Sequence, residues 1–394
     1  MMMSDSFFAI FAYLNSSNMK KLFIILTIIL PLSAAAQEVK DKLAEMKPDI
    51  LIELETSANA YFTESDFDQM SFKMNRARLG FSGKLGDNLS YHFRTTFHKK
   101  ADPFSFDNIS KAVELAKIAW TPNDKIELSA GKLFVEHAGY ENYVNVLLIR
   151  EFTDFNNCIE IYQTGIQGTY HFSPTQQLTL QVVNNRAESD DEIYAYGLPR
   201  GIESAKVPLM GTLNWNGWFA DKAVRLMYSA SVSQIAQGKY LYYLMGGNIY
   251  EKGPVLAYLD VLYARGDVDK HQRISSLTGD GLLAMTAQNT EYLTLIADFE
   301  YQLNPKLNVW VKGAYETAGV YKENGYYDKG LYQTSWNAQT SLEWFPFTKA
   351  KGLKVYLHYV YKGYELTEKA LALNANAFDY QRLSLGLTYS IPVL

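Results

Sequence analysis

Between Ser71 and Phe97 apolar and polar side chains take strict turns. On the first arm Ala77, Leu79, Phe81 and Leu85 alternate with Arg76, Arg78, Gly80 and Ser82. On the second, Leu89, Tyr91, Phe93, Thr95 and Phe97 alternate with Ser90, His92, Arg94, Thr96 and His98. A period of two sustained this long is that of a β-strand with one wet and one apolar face. Gly86-Asp87-Asn88 between the arms are residue types that tolerate the positive φ of a tight hairpin turn. Strands of globular proteins run to about five or six residues, whereas a tilted strand crossing a bilayer needs about ten, as these arms have.

The pattern recurs along the chain. Asp49–Thr63 forms a first strand, joined by Glu64–Gln69 to the hairpin above. Further strands are expected at Lys111–Thr121, Lys125–Leu133, Ile161–Phe172 and Leu178–Asn185, then at Val207–Phe219, Ala223–Ser233, Gly238–Tyr250 and Pro254–Gly266. Thr290–Leu303, Leu307–Thr317, Thr334–Phe345, Leu353–Lys362 and Tyr380–Leu394 complete the set. Alternation is weak in Lys111–Thr121, where Glu114 and Lys117 fall on opposite faces.

About sixteen strands result. Every second connection is a tight turn, as at Asp87, Asp124, Pro174, Asp221 and Pro305; the others are mostly long loops, Gln234–Gln237 being the short exception. Sorting loops by parity is the layout of an outer-membrane barrel, and a soluble sandwich has no reason for it. The expected fold is therefore all-β: an antiparallel transmembrane barrel with an aqueous lumen. Apolar rows such as Leu178/Leu180/Val182, Leu295/Ala297/Phe299 and Leu383/Leu385/Leu387 oppose wet rows such as Thr179/Gln181, Asp298/Glu300 and Arg382/Ser384/Thr388. A charge on the lipid face near mid-membrane costs about 2–4 kcal/mol, so Arg76, Arg78, Arg94, Arg225 and Lys312 should point inward.

Composition agrees. The 394 residues include 29 Tyr, 21 Phe and 6 Trp, enough aromatic side chains for girdles at both membrane interfaces. A net charge of −5 argues against nucleic acid as a partner. Cys158 is the single cysteine, so no intramolecular disulfide forms. Residues 19–36 read as a signal peptide: Met19-Lys20-Lys21 is basic, Leu22–Leu30 is a short apolar core, and Ala34-Ala35-Ala36 suits cleavage. Residues 1–18 read as an upstream start extension, 37–48 as a periplasmic lead-in and 49–394 as the barrel.

At this point the chain resembles the phosphate-selective porin O and P family. The resemblance rests on Asn75-Arg76-Ala77-Arg78-Leu79-Gly80-Phe81-Ser82-Gly83, Ala116-Lys117-Ile118-Ala119-Trp120-Thr121-Pro122, Leu128-Ser129-Ala130-Gly131-Lys132 and Thr164-Gly165-Ile166-Gln167-Gly168. It implies a sixteen-stranded channel, a homotrimer, with the loop after the fifth strand, Phe134–Glu160, folded into the pore. The basic residues differ from the dense Arg and Lys ladders the family implies for phosphate selection. Here the chain is acidic overall and its pore-lining candidates are Arg76, Arg78, Arg94, Lys132 and Arg150.

Catalytic motifs are not evident. His92, His98, His137, His171, His271 and His358 have no metal-binding spacing, and Gly279-Asp280-Gly281 lacks the strand–loop–helix setting of a phosphate loop. The acidic tip Glu188, Asp190, Asp191 and Glu192 reads first as a solvated loop and second as a cation-bridged contact to lipopolysaccharide. With the hairpin centred on Asp87, Arg94 faces Gly80, Thr96 faces Arg78 and His98 faces Arg76. The arginines thus share a face, either paired with Glu53, Glu55 or Glu300 or forming an anion-attracting wall. Phe134–Glu160 is too apolar for a free surface loop, with Val144, Val146, Leu147, Leu148, Ile149, Phe152 and Phe155. Docked inside, it would set Arg150, Glu151 and Asp154 at a constriction. The reading is a passive outer-membrane porin, not an enzyme, without cofactor. Its expected partners are outer-membrane lipid, lipopolysaccharide and small anionic or polar solutes. A barrel enzyme and a secreted glycan-binding β protein are the alternatives.

Overall fold

A computed structural model of the protein describes residues 48–98, 109–186, 188–194, 196–278, 285–347 and 352–392. The leader and lead-in, Asp280 and the last two residues lie outside these. The strands are β1 (Asp49–Thr63), β2 (Asp66–Leu85), β3 (Leu89–Thr96), β4 (Val113–Asn123), β5 (Ile126–Phe134), β6 (Tyr162–Ser173), β7 (Gln176–Asn184) and β8 (Leu209–Phe219). They continue as β9 (Val224–Ala236), β10 (Lys239–Lys252), β11 (Val255–Val268), β12 (Gln288–Asn304), β13 (Leu307–Val320), β14 (Gly330–Trp344), β15 (Leu353–Leu366) and β16 (Tyr380–Pro392).

Each strand pairs with its sequence neighbours, and β1 closes the ring on β16 in register from Leu51↔Pro392 to Thr63↔Tyr380. Closure leaves no sheet edge, which hydrocarbon requires because an unpaired backbone group has no water to bond there. Alternation sets the faces as the sequence predicts. Ile118, Leu128, Ile166, Leu180, Leu244, Leu259, Val311 and Leu385 are exposed on the outer wall, while Thr179, Gln181, Ser229, Lys312, Glu316 and Ser384 are buried within. Trp120, Tyr170, Phe219, Tyr250, Tyr301, Trp344 and Tyr389 form an exposed aromatic belt near the short-turn end.

Three sequence expectations change. The Glu64–Gln69 connection shrinks to Glu64-Ser65, both at positive φ (48° and 73°), the geometry of a two-residue hairpin turn. Together with Gln237-Gly238, it makes two tight turns on the long-loop side. The opposed Glu114 and Lys117 are reconciled by a β-bulge. Arg94 pairs with Leu115 and Thr95 with Val113, so Glu114 is the extra residue and turns inward. Finally, the inner face is not wet all round. On β10–β12, Leu241, Tyr243, Met245, Tyr258, Leu262, Tyr292 and Ile296 are buried inward and join one core with Val135, Phe155, Ile159 and Ile274 from two loops. An apolar loop folded into a barrel needs an apolar seat, and one half of the wall provides it.

The alternation also places Asp87, Asp124, Pro174, Asp221 and Pro305 at one end and Asp190, Tyr326 and Leu373 at the other. Single cysteines in a Cys158→Ser background are expected to label from outside intact cells at Asp190 and Tyr326 but not at Asp87. Labelling at Asp87 alone would mean that the barrel is inverted.

Candidate pore constriction

The infolded loop, Val135–Ile161, leaves β5 just after Gly131. Gly131 sits at φ +119°, and a Cβ there would collide with the Ala116 carbonyl oxygen, so the wall beneath the loop closes only around a glycine. The loop then crosses the lumen as short helical turns, Tyr140–Tyr143, Val146–Leu148 and Asp154–Cys158. Its first part is seated by backbone donors: Ala138 N–H to Ser229 Oγ at 2.8 Å, and Tyr140 and Glu141 N–H to the Asp260 carboxylate at 2.9 and 3.2 Å. Phe155 is 1 % exposed, a burial that contributes about 1.5–3 kcal/mol. Its ring packs on His271, whose Nε2 is 3.3 Å from the Tyr243 hydroxyl. Burial, helped by the nearby Lys270 charge, lowers the loop imidazoles of His137 and His271 to about 3, so both rings are neutral at neutral pH.

Beyond the seat the loop meets charge. Arg150 donates to Glu55 (3.0 Å), Thr388 (3.1 Å) and Glu343 (3.2 Å), and its guanidinium lies 3.8 Å from the Tyr356 ring centre. Glu151 pairs with Arg382 (2.9 Å) and Lys362 (3.2 Å). Asp154 pairs with Lys362 (3.0 Å) and Arg273 (3.5 Å). Wall donors also hold the loop's carbonyls: Lys312 and Gln339 that of Glu151, Lys362 that of Phe152, and Arg382 that of Arg150. The Glu316 carboxylate receives the Asp154 and Phe155 N–H groups, both at 2.9 Å. The loop therefore spans from β9 and β11 to β13–β16 and β1.

The hairpin arginines lie on the same charged side. Arg76 pairs with Glu55 (3.2 Å); Arg78, 2 % exposed, sits between Glu53 (3.6 Å) and Glu114 (2.8 Å). Arg94 pairs with Glu114 (2.9 Å) and donates to the Tyr162 hydroxyl (2.7 Å). Glu53 and Glu55 are thus partners, as the sequence suggested; Glu300 instead accepts from Asn308 (2.7 Å). Lys132 is buried in β5 opposite Ala116 and Thr164. At the acidic tip Glu188 pairs with Lys111 and Asp190 with Arg186, while Glu192 caps its own helical turn at Ser189.

Sequence reasoning did not single out Glu114, Glu343, Lys354, Tyr356, His358 or Lys362 as site residues, and placed Arg382 only on the wet face. The period of two held the signal: Lys354, Tyr356, His358 and Lys362 share one face of β15 with Val360. Between loop and wall remains a cavity of about 150 Å³, lined by Arg76, Arg150, Arg382, Glu55, Tyr356 and Ser384 among others. Among the described residues, the Nε of Arg150 and of Arg382 and the Oγ of Ser384 find no hydrogen-bond partner.

Comparison with known proteins is consistent with this geometry. The outer-membrane channel DcaP of Acinetobacter baumannii matches at 14 % identity over 88 % of this chain and 97 % of that one, with a TM-score of 0.61. OmpF of Salmonella typhi, solved in complex with daunomycin, matches at 14 % identity over 88 % and 98 %, with a TM-score of 0.55. A trimer form of OmpT from Vibrio cholerae matches at 13 % identity over 88 % and 99 %, with a TM-score of 0.51. No curated protein matches the sequence. These likenesses carry the fold; the family model for phosphate-selective porins O and P matches residues 56–391. A closed sixteen-stranded barrel with a charged lumen, matched over that span, belongs to the phosphate-selective porin O and P family, and the chain is an outer-membrane porin.

Proposed function

We propose that small polar solutes pass between the infolded loop and the barrel wall, and that this passage prefers anions weakly. The supporting observation is the cavity lined by Arg76, Arg150 and Arg382 between loop and wall. Around it seven cations (Arg76, Arg78, Arg94, Arg150, Lys354, Lys362, Arg382) meet six carboxylates (Glu53, Glu55, Glu114, Glu151, Asp154, Glu343). Charge in a low-dielectric cleft attracts its counter-ion, but an excess of one focuses only a modest field. On this reading Arg76, Arg78, Arg94, Lys132 and Arg150 attract anions, Glu151 and Asp154 temper them, and phosphate gains no large advantage over chloride.

The channel acts passively, as a porin rather than an enzyme and without a cofactor, in contact with outer-membrane lipid and lipopolysaccharide. A homotrimer fits the outer face of β2, where Phe67, Met70, Phe72 and Met74 are exposed and, among the described residues, Asp66–Arg76 pairs with β1 alone. The test is the reversal potential of single channels in a KCl gradient. Chloride should be preferred by less than about tenfold, and phosphate should carry no more current than chloride. A cation-signed potential would sink the proposal.

A further inference from the structure

Arg225, inward on β9, differs from the hairpin arginines. Among the described residues no carboxylate lies within ion-pair distance of it. Its Nε and a terminal nitrogen donate to Asn216 Oδ1 at 3.1 and 2.8 Å. Its guanidinium lies 4.1 Å from the ring centre of Tyr143 on the loop and 4.9 Å from that of Trp218 on β8. From Tyr143 the contacts continue to Phe134 (ring centres 6.2 Å apart, edge-on) and from Phe134 to Tyr162 (5.8 Å). The Arg94 guanidinium closes the row 5.4 Å from the Tyr162 ring. Trp218, Arg225, Tyr143, Phe134, Tyr162 and Arg94 thus form one continuous strip of four rings and two guanidinium groups.

Packing does not account for the strip. Inward aromatics that serve the core are covered: Phe155, Tyr243 and Tyr292 are all 5 % exposed or less. Tyr143 is 39 % exposed on a loop whose neighbouring Glu141 and Asn142 are buried, and Trp218, Phe134 and Tyr162 are half-buried. A partly exposed ring beside a guanidinium group offers two kinds of contact at once. A flat π system stacks on the ring, and guanidinium N–H groups take a carboxylate. Inorganic anions use only the second, and aliphatic acids lack the flat face.

We infer that this strip is a conduction track for organic anions that carry a carboxylate on an aromatic ring. The inference deepens the proposed anion preference and rests on it. Several weak sites in a row suit transport, since each must hold a solute without trapping it.

The test uses the purified full-length channel in planar bilayers, with benzoate, cyclohexanecarboxylate and acetate each added against a chloride current. Benzoate is expected to block at a concentration about fivefold below that of cyclohexanecarboxylate, and acetate to block least. The combined Trp218→Leu and Tyr143→Leu variant should lose that margin, whereas Tyr143→Phe, which keeps the ring, should retain it. Arg225→Lys, which keeps the charge but not the flat face, should reduce it about threefold and serves if the double variant does not fold. Equal block by benzoate and cyclohexanecarboxylate in the unaltered channel would overturn the aromatic class. An undiminished margin in either the double-leucine variant or Arg225→Lys would place the site elsewhere and overturn the strip. The KCl reversal potential reads the anion preference separately, so a failure of that reading is not confused with a failure of the strip.

Discussion

Replacing Tyr143–Asp154 by a short Gly-Ser linker is expected to raise single-channel conductance about three- to tenfold, the change from a lumen blocked at mid-height to one of porin width. The barrel should survive, because its sixteen strands are joined by ladders that do not include the loop. Residues before Tyr143 remain seated on Ser229 and Asp260. The wall donors released by the deletion, Lys362 and Arg382, face water once the loop is gone, so their charges are hydrated rather than stranded, and Lys312 keeps Glu141. A second readout follows from the charges removed. Loss of Arg150, Glu151 and Asp154 leaves six cations against four carboxylates in the network counted above. Chloride preference should therefore rise with conductance. A folded deletion variant, recognised by heat-modifiable migration, with unaltered conductance would show that solutes never pass the loop.

Much of this architecture is legible in the sequence because a membrane barrel is built from local rules. Alternation fixes the faces, turn residues fix the hairpins, and the bilayer fixes the strand length. Leu383, Leu385 and Leu387 against Arg382, Ser384 and Thr388 need nothing else. What alternation does not carry is contact between distant strands. The inward Leu241, Tyr243 and Met245 of β10 read as an imperfect strand until the loop that covers them is in place. The bulge at Glu114 is invisible for the same reason. An extra residue breaks the period, and only the positions of Arg78 and Arg94 explain why the carboxylate turns inward. The arginines were found because they alternate cleanly on a hairpin. Glu343, Lys354 and Arg382, which join the same network through Arg150 and Glu151, come from strands that are far along the chain and become neighbours through closure of β16 on β1.

Changing Arg76, Arg78 and Arg94 together to Ala is expected to reverse the channel's selectivity, from weakly chloride-preferring to cation-preferring. The substitutions leave four cations against six carboxylates, and three of those acids lose a partner. Glu114 loses both Arg78 and Arg94, Glu53 loses Arg78, and Glu55 retains only Arg150. Truncation also opens the wall, so water reaches Glu53 and Glu114 and keeps them ionised. The cost falls unevenly. Arg76 and Arg94 are each 19 % exposed at the side chain and their loss should be tolerated, as for other pairs in contact with water. Arg78 is 2 % exposed between two carboxylates, and removing one partner of a buried pair costs about 3–5 kcal/mol. The triple variant should therefore fold with a lower melting temperature, while Arg76→Ala with Arg94→Ala should fold normally and shift the reversal potential in the same direction by a smaller amount. A triple variant that folds yet still prefers chloride would show that the arginines serve only to neutralise Glu53, Glu55 and Glu114. The anion preference would then have to come from Arg225, which among the described residues has no carboxylate within ion-pair distance.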